Sequence, residues 1–257
     1  MLTLKDIQQQ YQPRFQFKKR FILREYLQYK ILEAIANSPE NRNLVFMGGT
    51  AIRLVYNSHR FSEDLDFDNL GLTANQFQNL FKNVQHELSL EGMAVELRFS
   101  FKQAMHCFLR FIGVLQAFNL TQQKKEKIMI RVDVAPQNYD YQPDLKLLKK
   151  FDVYTRVQVA PQELLLAEKL ITILQRSTAK GRDFFDVIFL SGRTDPDWQY
   201  LQKKAGIATR PELKTALQKR VHQLDMSILA KELEPFLIKS SSFRQVLSFA
   251  EFVENWL

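Results

Sequence analysis

The run from Val45 to Asp68 constrains the fold more than any other part of the sequence. It reads VFMGGTAIRLVYNSHRFSEDLDFD, with a Gly-Gly-Thr turn at residues 48–50 directly after a short apolar segment. Thirteen residues separate this turn from Asp64, and Asp66 follows two positions later. The pattern predicts a strand over about residues 43–47, a glycine turn and a helix, followed by a second strand that carries both carboxylates.

The two carboxylates stand in an alternating apolar context, which predicts a strand from Phe61 to Phe67. Residues i and i+2 of a strand project from the same face. Asp64 and Asp66 therefore repel one another unless a cation lies between them, and nucleotide chemistry uses magnesium for this purpose. An Asp-x-Asp pair by itself more often belongs to a solvated acidic loop, but the interleaved Leu65 favours a segment anchored to the core.

The glycine turn suits a ligand as well as a chain reversal. Glycine lets the backbone approach a ligand closely, and the N–H groups at the start of a helix from about Thr50 to Tyr56 would suit phosphate oxygens. Gly48, Gly49 and Thr50 are therefore candidate triphosphate-binding residues, with the threonine hydroxyl as a donor or as the helix cap. The commoner meaning of such a turn is a connection without any ligand, and the sequence has no P-loop or Rossmann glycine pattern.

A third carboxylate lies in the run from Ile128 to Val134, which consists mostly of strand-forming residues. Asp133 is predicted to lie in a central strand, where a carboxylate is rare unless it is paired or metal-bound. A salt bridge to a nearby Arg or Lys is the alternative. Three carboxylates on adjacent strands would hold two magnesium ions about 3.5–4 Å apart for in-line phosphoryl chemistry.

The composition indicates a folded protein in a reducing compartment. Hydrophobic residues make up 46% of the chain and aromatic residues 12%, and the net charge of +8 is compatible with RNA as well as with an ordinary basic protein. The single cysteine, Cys107, excludes an internal disulfide and is expected to be a buried, inert thiol. No apolar stretch is long enough to span a bilayer and the N-terminus lacks a signal-peptide core. We therefore expect a cytoplasmic protein without membrane contact.

Periodicity predicts an α+β fold with a mixed sheet flanked by helices, followed by an all-helical C-terminal part. The composition shift near residue 160 separates an α/β domain with an N-terminal helix, residues 1–160, from a helical domain, residues 161–257. The expected elements, in order, are a helix over 3–37, a helix over 73–90, extended runs over 93–101 and 105–118, a hairpin loop at 121–127, a strand over 128–134, an irregular stretch over 136–143, a strand over 151–159, and helices from 161, over 183–190, and near 195–206, 210–222, 225–238 and 242–256.

Two groups of residues resemble one family. The run from Gly48 through Tyr56 to Arg60-Phe61-Ser62-Glu63-Asp64-Leu65-Asp66-Phe67 resembles the first motif of the AbiEii/AbiGii toxin-type nucleotidyltransferases, a branch of the DNA polymerase β-like superfamily. Lys169 and the segment Lys180-Gly181-Arg182-Asp183-Phe184-Phe185-Asp186 are similar to the helical motifs of that family, and Asp133 falls at the place of the third carboxylate. The wider superfamily has Gly-Ser and a shorter spacing, whereas Gly-Thr and the longer spacing suit the toxin branch. The resemblance covers roughly residues 40–190.

The resemblance implies a nucleotidyltransferase-like fold and a magnesium- or manganese-dependent enzyme. Such an enzyme transfers a nucleoside monophosphate from an NTP, often to RNA such as the 3′ end of a tRNA, and acts as a toxin countered by a cognate antitoxin or in phage defence. It implies that Asp64, Asp66 and Asp133 are catalytic metal ligands and that Lys169 is a catalytic cation. The nucleotide-binding residues that it implies are Gly48, Gly49, Thr50, Lys169, Arg182 and Asp186.

Several alternatives stay open at the level of sequence. Arg182 and Asp186 stand at i and i+4 and would pair on a helix, whereas Asp183 and Asp186 share a face that would orient Lys169, and we favour the second arrangement. Lys169 would otherwise be a solvent-facing lysine. The acceptor could be a protein, such as the antitoxin, and a catalytically inert NTP- or RNA-binding module is a third possibility. The four histidines show no zinc-binding spacing.

Overall fold

A mixed sheet of seven strands forms within the residues that the computed structural model describes, 1–123 and 125–257. The order of strands across the sheet is β3-β4-β5-β2-β1-β7-β6. The pairs β1–β7 and β2–β5 are parallel, and the other neighbours are antiparallel. The strands are β1 (Leu44–Met47), β2 (Leu65–Asn69), β3 (Val95–Phe101), β4 (Met105–Phe111), β5 (Ile128–Ala135), β6 (Asp144–Lys150) and β7 (Val153–Val159).

The chain divides into two units that are not continuous in sequence. The first unit contains Met1–Val55 and Ser62–Val159, and therefore the whole sheet. The second contains Tyr56–Phe61 and Ala160–Leu257. The helices of the first unit are α1 (Leu4–Gln9), α2 (Lys19–Ala36), α3 (Gly48–Leu54), α4 (Ala74–Leu90) and α5 (Val114–Ala117).

One face of the sheet is apolar and packs against helices. Along β5, Ile128, Ile130, Val132 and Val134 are buried and alternate with polar or exposed residues, which is the period of a strand with one covered face. Helix α4 packs on β3 and α2 packs on β7. Cys107 is buried in this layer, as expected, and burial raises the pKa of its thiol. The opposite face of β2, β4 and β5 carries mostly polar side chains.

The second unit consists mainly of helices, as the sequence predicts for this part of the chain. Amphipathic periods and caps define them, for example the Thr209–Glu212 capping box at the start of α9. They are α6 (Gln162–Gln175), α7 (Gly181–Ser191), α8 (Trp198–Ala205), α9 (Arg210–Val221), α10 (Met226–Leu233), α11 (Arg244–Leu247) and α12 (Phe249–Trp256).

The segment around the Asp-x-Asp pair differs from the prediction. The strand begins at Leu65 and not at Phe61, because the residues before it pair elsewhere: Arg60 bridges to Leu237, and the Phe61 N–H donates to the Phe236 carbonyl. The preceding helix begins at Gly48, two residues earlier than predicted. Asp64 therefore directly precedes β2, whereas Asp66 lies within it.

Other boundaries were wrong for local reasons. The predicted N-terminal helix is interrupted near Pro13, which lies in a short 3-10 turn between α1 and α2. The extended run over 105–118 ends at Phe111, since Gly113 has φ +70° and starts the short helix α5. Strand β6 was not predicted, because Leu145 and Leu147 are exposed and do not mark a buried face. Lys124 in the predicted 121–127 loop lies outside the described residues. Across the described chain, no helix is long and apolar enough to cross a membrane.

Candidate active site

Asp66 and Asp133 lie side by side on the polar face of the sheet. Strands β2 and β5 are parallel neighbours, and their register places these two residues directly opposite one another. Residues paired in this way project from the same face. The structure thus brings together two carboxylates that are 67 residues apart in sequence.

Arg131 connects the third carboxylate to this pair. Its Nη2 lies 3.1 Å from Asp64 Oδ2 and 3.0 Å from Asp133 Oδ2, so one guanidinium nitrogen bridges two carboxylates. Its Nε is buried and has no hydrogen-bond partner within the described part of the chain. Asp64 is 39% exposed and Asp133 is 20% exposed. The salt bridge that the sequence left open as an alternative for Asp133 is therefore present.

His106 holds the other oxygen of Asp133. It stands directly opposite Asp133 on β4, and its Nδ1 is 2.6 Å from Asp133 Oδ1. Asp133 is thus contacted on both oxygens, by the imidazole on one side and the guanidinium on the other. These two contacts restrict the orientation of the Asp133 carboxylate.

The Gly-Gly-Thr turn packs against Asp66 and holds the backbone of Asp64. Gly48, Gly49 and Thr50 are all buried in the first turn of α3. Gly48 has φ +71°, and a Cβ at this position would lie only 2.4 Å from Asp66 Oδ2. The Thr50 hydroxyl donates to the backbone carbonyl of Asp64, whereas Met47 is the N-cap residue of α3. The threonine therefore anchors the residue that begins the Asp-x-Asp pair and does not cap the helix.

The chemistry of the carboxylates suits a hard cation. Carboxylate oxygens are the donors that magnesium prefers. Among the described residues, no group of three or more His, Cys, Asp or Glu side chains is already arranged to hold a metal ion. Two carboxylate oxygens nevertheless converge on the single cationic nitrogen of Arg131. The residues therefore fit a cation between them, and Asp64, Asp66 and Asp133 would hold it.

A second cluster of charges lies in the helical unit and centres on Lys169. Lys169 Nζ lies 2.9 Å from Asp183 Oδ1 and 3.4 Å from Asp186 Oδ2, and its side chain is only 12% exposed. Burial opposes the ammonium charge, but the two carboxylates outweigh it and raise the pKa of Lys169. Burial likewise opposes ionisation of Asp183, but Lys169 and Arg176 outweigh it and lower the pKa of that carboxyl. Asp183 and Asp186 therefore hold Lys169 in place as an ammonium cation.

Asp186 is itself fixed by a residue from far away in sequence. Arg60 Nε lies 2.7 Å from Asp186 Oδ1 and Arg60 Nη2 lies 2.5 Å from Asp186 Oδ2, and both residues are almost completely buried. Arg182 instead lies with its guanidinium 4.8 Å from the centre of the Phe236 ring. The observed arrangement is the one in which Asp183 and Asp186 orient Lys169.

Four residues of these clusters had no role in the sequence analysis: Arg60, His106, Arg131 and Arg176. Arg131 stands two residues before Asp133, so strand alternation was a signal for it. Arg60 is part of the quoted motif, but nothing in the motif indicates Asp186 as its partner. His106 has no signal in the sequence at all, because its contact depends on the register between β4 and β5.

Comparisons with known proteins were made on the sequence and on the fold. The model of the family described as "Nucleotidyl transferase AbiEii toxin, Type IV TA system" matches residues 30–251. A crystal structure of JHP933 from Helicobacter pylori superposes with a TM-score of 0.57 at 19% identity, covering 92% of each chain. A proposed nucleotidyltransferase from H. pylori has a TM-score of 0.58 at 18% identity, covering 92% of this chain and 95% of that one. A search of curated proteins finds no match. At 18–19% identity, these two matches show that the chain shares the fold of both structures.

Proposed function

The chain belongs to the AbiEii family of nucleotidyl transferase toxins of type IV toxin–antitoxin systems, and from this membership we propose that it transfers a nucleoside monophosphate from an NTP to RNA. It is a nucleotidyltransferase that uses an NTP and has a cognate antitoxin. The proposal adds that the acceptor is the 3′ end of an RNA such as tRNA and that magnesium is required. It also places the enzyme in the cytoplasm and assigns it a role in phage defence.

The observation that carries the proposal is the pairing of Asp66 with Asp133 on neighbouring parallel strands. Adjacent carboxylates on one face of a sheet repel each other unless a positive charge compensates them. Arg131 supplies such a charge to Asp133 and to the nearby Asp64, and a magnesium ion would supply it to all three carboxylates. Magnesium would be held by Asp64, Asp66 and Asp133, and when bound it neutralises the triphosphate and polarises the reacting phosphoryl group.

In the proposed reaction, the acceptor hydroxyl attacks the α-phosphorus of the NTP. A bond forms between the hydroxyl oxygen and the α-phosphorus, the bond to the β-phosphate oxygen breaks, and pyrophosphate leaves. Asp133 accepts the hydroxyl proton, because His106 and Arg131 hold its two oxygens in a defined orientation. Pyrophosphate carries away the electron pair of the broken bond, so charge and atoms balance.

The remaining residues take the roles that the family resemblance implies for them. Lys169 is a proposed point cation for phosphate oxygens of the NTP, and its raised pKa keeps its own amine protonated. Arg182 is a further proposed nucleotide-binding residue, whereas the completely buried Asp186 acts by orienting Lys169. Gly48 makes room for the Asp66 carboxylate and the Thr50 hydroxyl holds the Asp64 carbonyl, so the Gly-Gly-Thr turn positions the carboxylates. Arg131 Nε, which is buried and has no hydrogen-bond partner within the described part of the chain, is a further donor for a phosphate oxygen.

The test is transfer from each of the four α-labelled NTPs to total tRNA, with the Asp66→Asn variant. We expect wild-type protein to label tRNA with at least one NTP in the presence of magnesium. Asp66→Asn should reduce the rate by about 100-fold or more, because it removes a charged metal donor without changing the shape of the side chain. The matched control is Glu87→Gln, which removes the same charge from the exposed surface of α4 and should transfer at the wild-type rate.

Two results would contradict the proposal. Equal labelling of tRNA by wild-type and Asp66→Asn protein would exclude the carboxylates from the reaction. Label in protein but not in RNA would exclude RNA as the acceptor, and label from γ- but not α-labelled NTP would show phosphorylation and not nucleotidyl transfer.

A further inference from the structure

The polar face of the sheet continues beyond the carboxylates onto β4 and β3. Phe108 on β4 stands directly opposite Arg131 of β5 on one side and Arg98 of β3 on the other. Two residues farther along β4, Arg110 faces Met129 and Glu96. All of these side chains share the face of Asp133, since directly paired residues project to the same side. We call Arg98, His106, Phe108 and Arg110 the arginine–aromatic surface.

This surface carries positive charge that the protein does not compensate. Arg98 is exposed and Arg110 is partly exposed, and neither makes a hydrogen bond or an ion pair with any described residue. Glu96, which stands directly opposite Arg110 on β3, accepts a bond from Lys127 Nζ at 2.8 Å. Two guanidinium groups therefore remain available for an anionic partner.

The same surface also presents aromatic rings. The ring centroids of His106 and Phe108 are 6.5 Å apart, with 39° between the ring planes, and both rings are partly exposed. Phe108 is an apolar side chain on the polar face of its strand, and Arg98 and Arg131 flank it. A ring flanked by guanidinium groups on an open sheet is the kind of platform on which unpaired bases stack.

We propose that the arginine–aromatic surface binds the single-stranded 3′ end of the RNA acceptor. A base stacks on Phe108, and the backbone phosphates that precede the terminal nucleotide lie at Arg98 and Arg110. Phe108 is a diagonal neighbour of Asp133, about 7–8 Å away. A base stacked there leaves the terminal hydroxyl within reach of the carboxylates. This assignment rests on the proposed RNA acceptor and specifies where and in which form it binds.

The chemistry of the surface favours RNA over the other anionic ligands. An acidic peptide would pair with Arg98 and Arg110, but its carboxylates would not stack on the Phe108 ring between them. The base of the NTP could stack on Phe108, but a single nucleotide whose triphosphate lies at the carboxylates has no phosphates left for Arg110. A single strand supplies both a base and several phosphates at the required positions. An RNA duplex would not serve, because its bases are already stacked.

Direct binding of a short 5′-fluorescein-labelled single-stranded RNA, measured by anisotropy without NTP or magnesium, tests the surface. We expect Phe108→Leu to weaken binding about tenfold, since a stacked base contributes about 1–3 kcal/mol. Arg98→Ala and Arg110→Ala should weaken it as well, and each should reduce the slope of log affinity against log salt by about 0.7. The far-UV circular dichroism of each variant should match the wild type.

The matched control is Lys82→Ala. Lys82 is an exposed cation on α4, the helix that packs on the opposite, apolar face of the sheet, so the variant loses the same charge elsewhere. It should bind RNA with the wild-type affinity and salt slope. Two further probes separate the alternatives, namely a fluorescent NTP analogue and poly-glutamate as a competitor.

Three outcomes would overturn the proposal. The first is an RNA affinity that is unchanged in Phe108→Leu and in both arginine variants, or an affinity that falls in Lys82→Ala as much as it falls in those variants. The second is a loss in Phe108→Leu of NTP affinity but not RNA affinity. The third is displacement of RNA by poly-glutamate together with unchanged RNA binding in Phe108→Leu. If tRNA is labelled while these variants bind RNA normally, the surface is wrong and the function stands. If binding is lost in the variants but no RNA is labelled, the surface stands and the function is wrong.

Discussion

At the scale of single residues, Gly48 illustrates how a turn residue serves the site without touching a ligand. The sequence suggested that glycine is needed so that the backbone can approach phosphate. In the structure, the space beside Gly48 Cα is filled by the carboxylate of Asp66, and the backbone there has φ +71°. Both features exclude a side chain, because L residues rarely adopt this conformation and a Cβ would overlap Asp66 Oδ2.

Gly48→Ala should therefore impair transfer more than stability. A Cβ 2.4 Å from Asp66 Oδ2 forces that carboxylate away from Asp133, and a displacement of this kind costs about 100-fold in rate. The matched control is Gly92→Ala, since Gly92 has φ +82° but no atom of the described residues lies within 4 Å of an added Cβ. Gly92→Ala should cost about 1 kcal/mol of unfolding free energy and leave transfer unchanged. Equal rates for both variants would contradict the role assigned to Gly48. Rates come from the labelling assay and stabilities from urea unfolding.

At the scale of elements, a buried carboxylate joins several segments of the first unit. Glu25 on α2 is 2% exposed and accepts bonds from Arg53 on α3, Lys150 at the end of β6 and the Tyr11 hydroxyl. Burial opposes its charge, but Arg53 and Lys150 outweigh burial and lower the pKa of Glu25 to about 2. Lys150 shares this one carboxylate with Arg53, so burial and repulsion by Arg53 lower the pKa of its ammonium group. The network therefore stabilises the charged form of Glu25 but not that of Lys150.

The lowered pKa predicts the acid limb of the stability curve. A carboxyl whose pKa falls from 4.5 to about 2 on folding stabilises the protein above pH 4.5, by about 3 kcal/mol. That contribution is lost as the pH falls from about 4.5 towards 2, because the unfolded chain binds the proton first. Urea unfolding of wild-type and Glu25→Gln protein between pH 7 and 2.5 should show a stability difference that shrinks over this window. The control Glu87→Gln should follow the wild-type curve, and a difference independent of pH for Glu25→Gln would contradict the assignment.

At the scale of the whole molecule, the order of segments in the chain differs from their grouping in space. Tyr56–Phe61 lies between the glycine turn and the Asp-x-Asp pair in sequence but folds with the C-terminal helices. Its anchors are the Arg60–Asp186 ion pair, the bridge from Arg60 to Leu237, and the hydrogen bond from the Ile238 N–H to the His59 carbonyl. The second unit thus includes a residue, Arg60, that precedes its helices in sequence by about a hundred positions.

Removing Arg60 from its ion pair with Asp186 should destabilise the protein, and removing both charges of the pair should restore part of the lost unfolding free energy. Arg60→Met leaves Asp186 buried without its main partner and should lower the free energy of unfolding by about 3–5 kcal/mol. In the double variant Arg60→Met/Asp186→Leu no carboxylate is left buried without Arg60, so urea unfolding should show a smaller loss. A double variant that is less stable than Arg60→Met would show that the cost lies in packing and not in the uncompensated charge.

Part of the fold and of the site was predictable from the sequence because it is local. The strand-forming residues from Ile128 to Val134 predicted β5 with Asp133 inside it, and the helix predicted from Thr73 is α4, with Thr73 as its N-cap. The α+β class and the nucleotidyltransferase family also followed from motifs within short segments. Boundaries were lost where a local pattern competed with a contact from elsewhere, as at Phe61, or where a strand lacked a buried apolar face, as in β6.

The sequence by itself determined most of the segments that are helices or strands and the chemical groups that they carry, since period and residue type are properties of one stretch of chain. Only the tertiary structure decided which of those groups meet. The register of β2, β5 and β4 aligns Asp66, Asp133 and His106, and packing of the second unit joins Arg60 to Asp186. The physical reason is that strand register and buried ion pairs are set by packing and charge compensation between distant segments. The Val45–Asp68 run therefore supplies the carboxylates, whereas the fold supplies their partners.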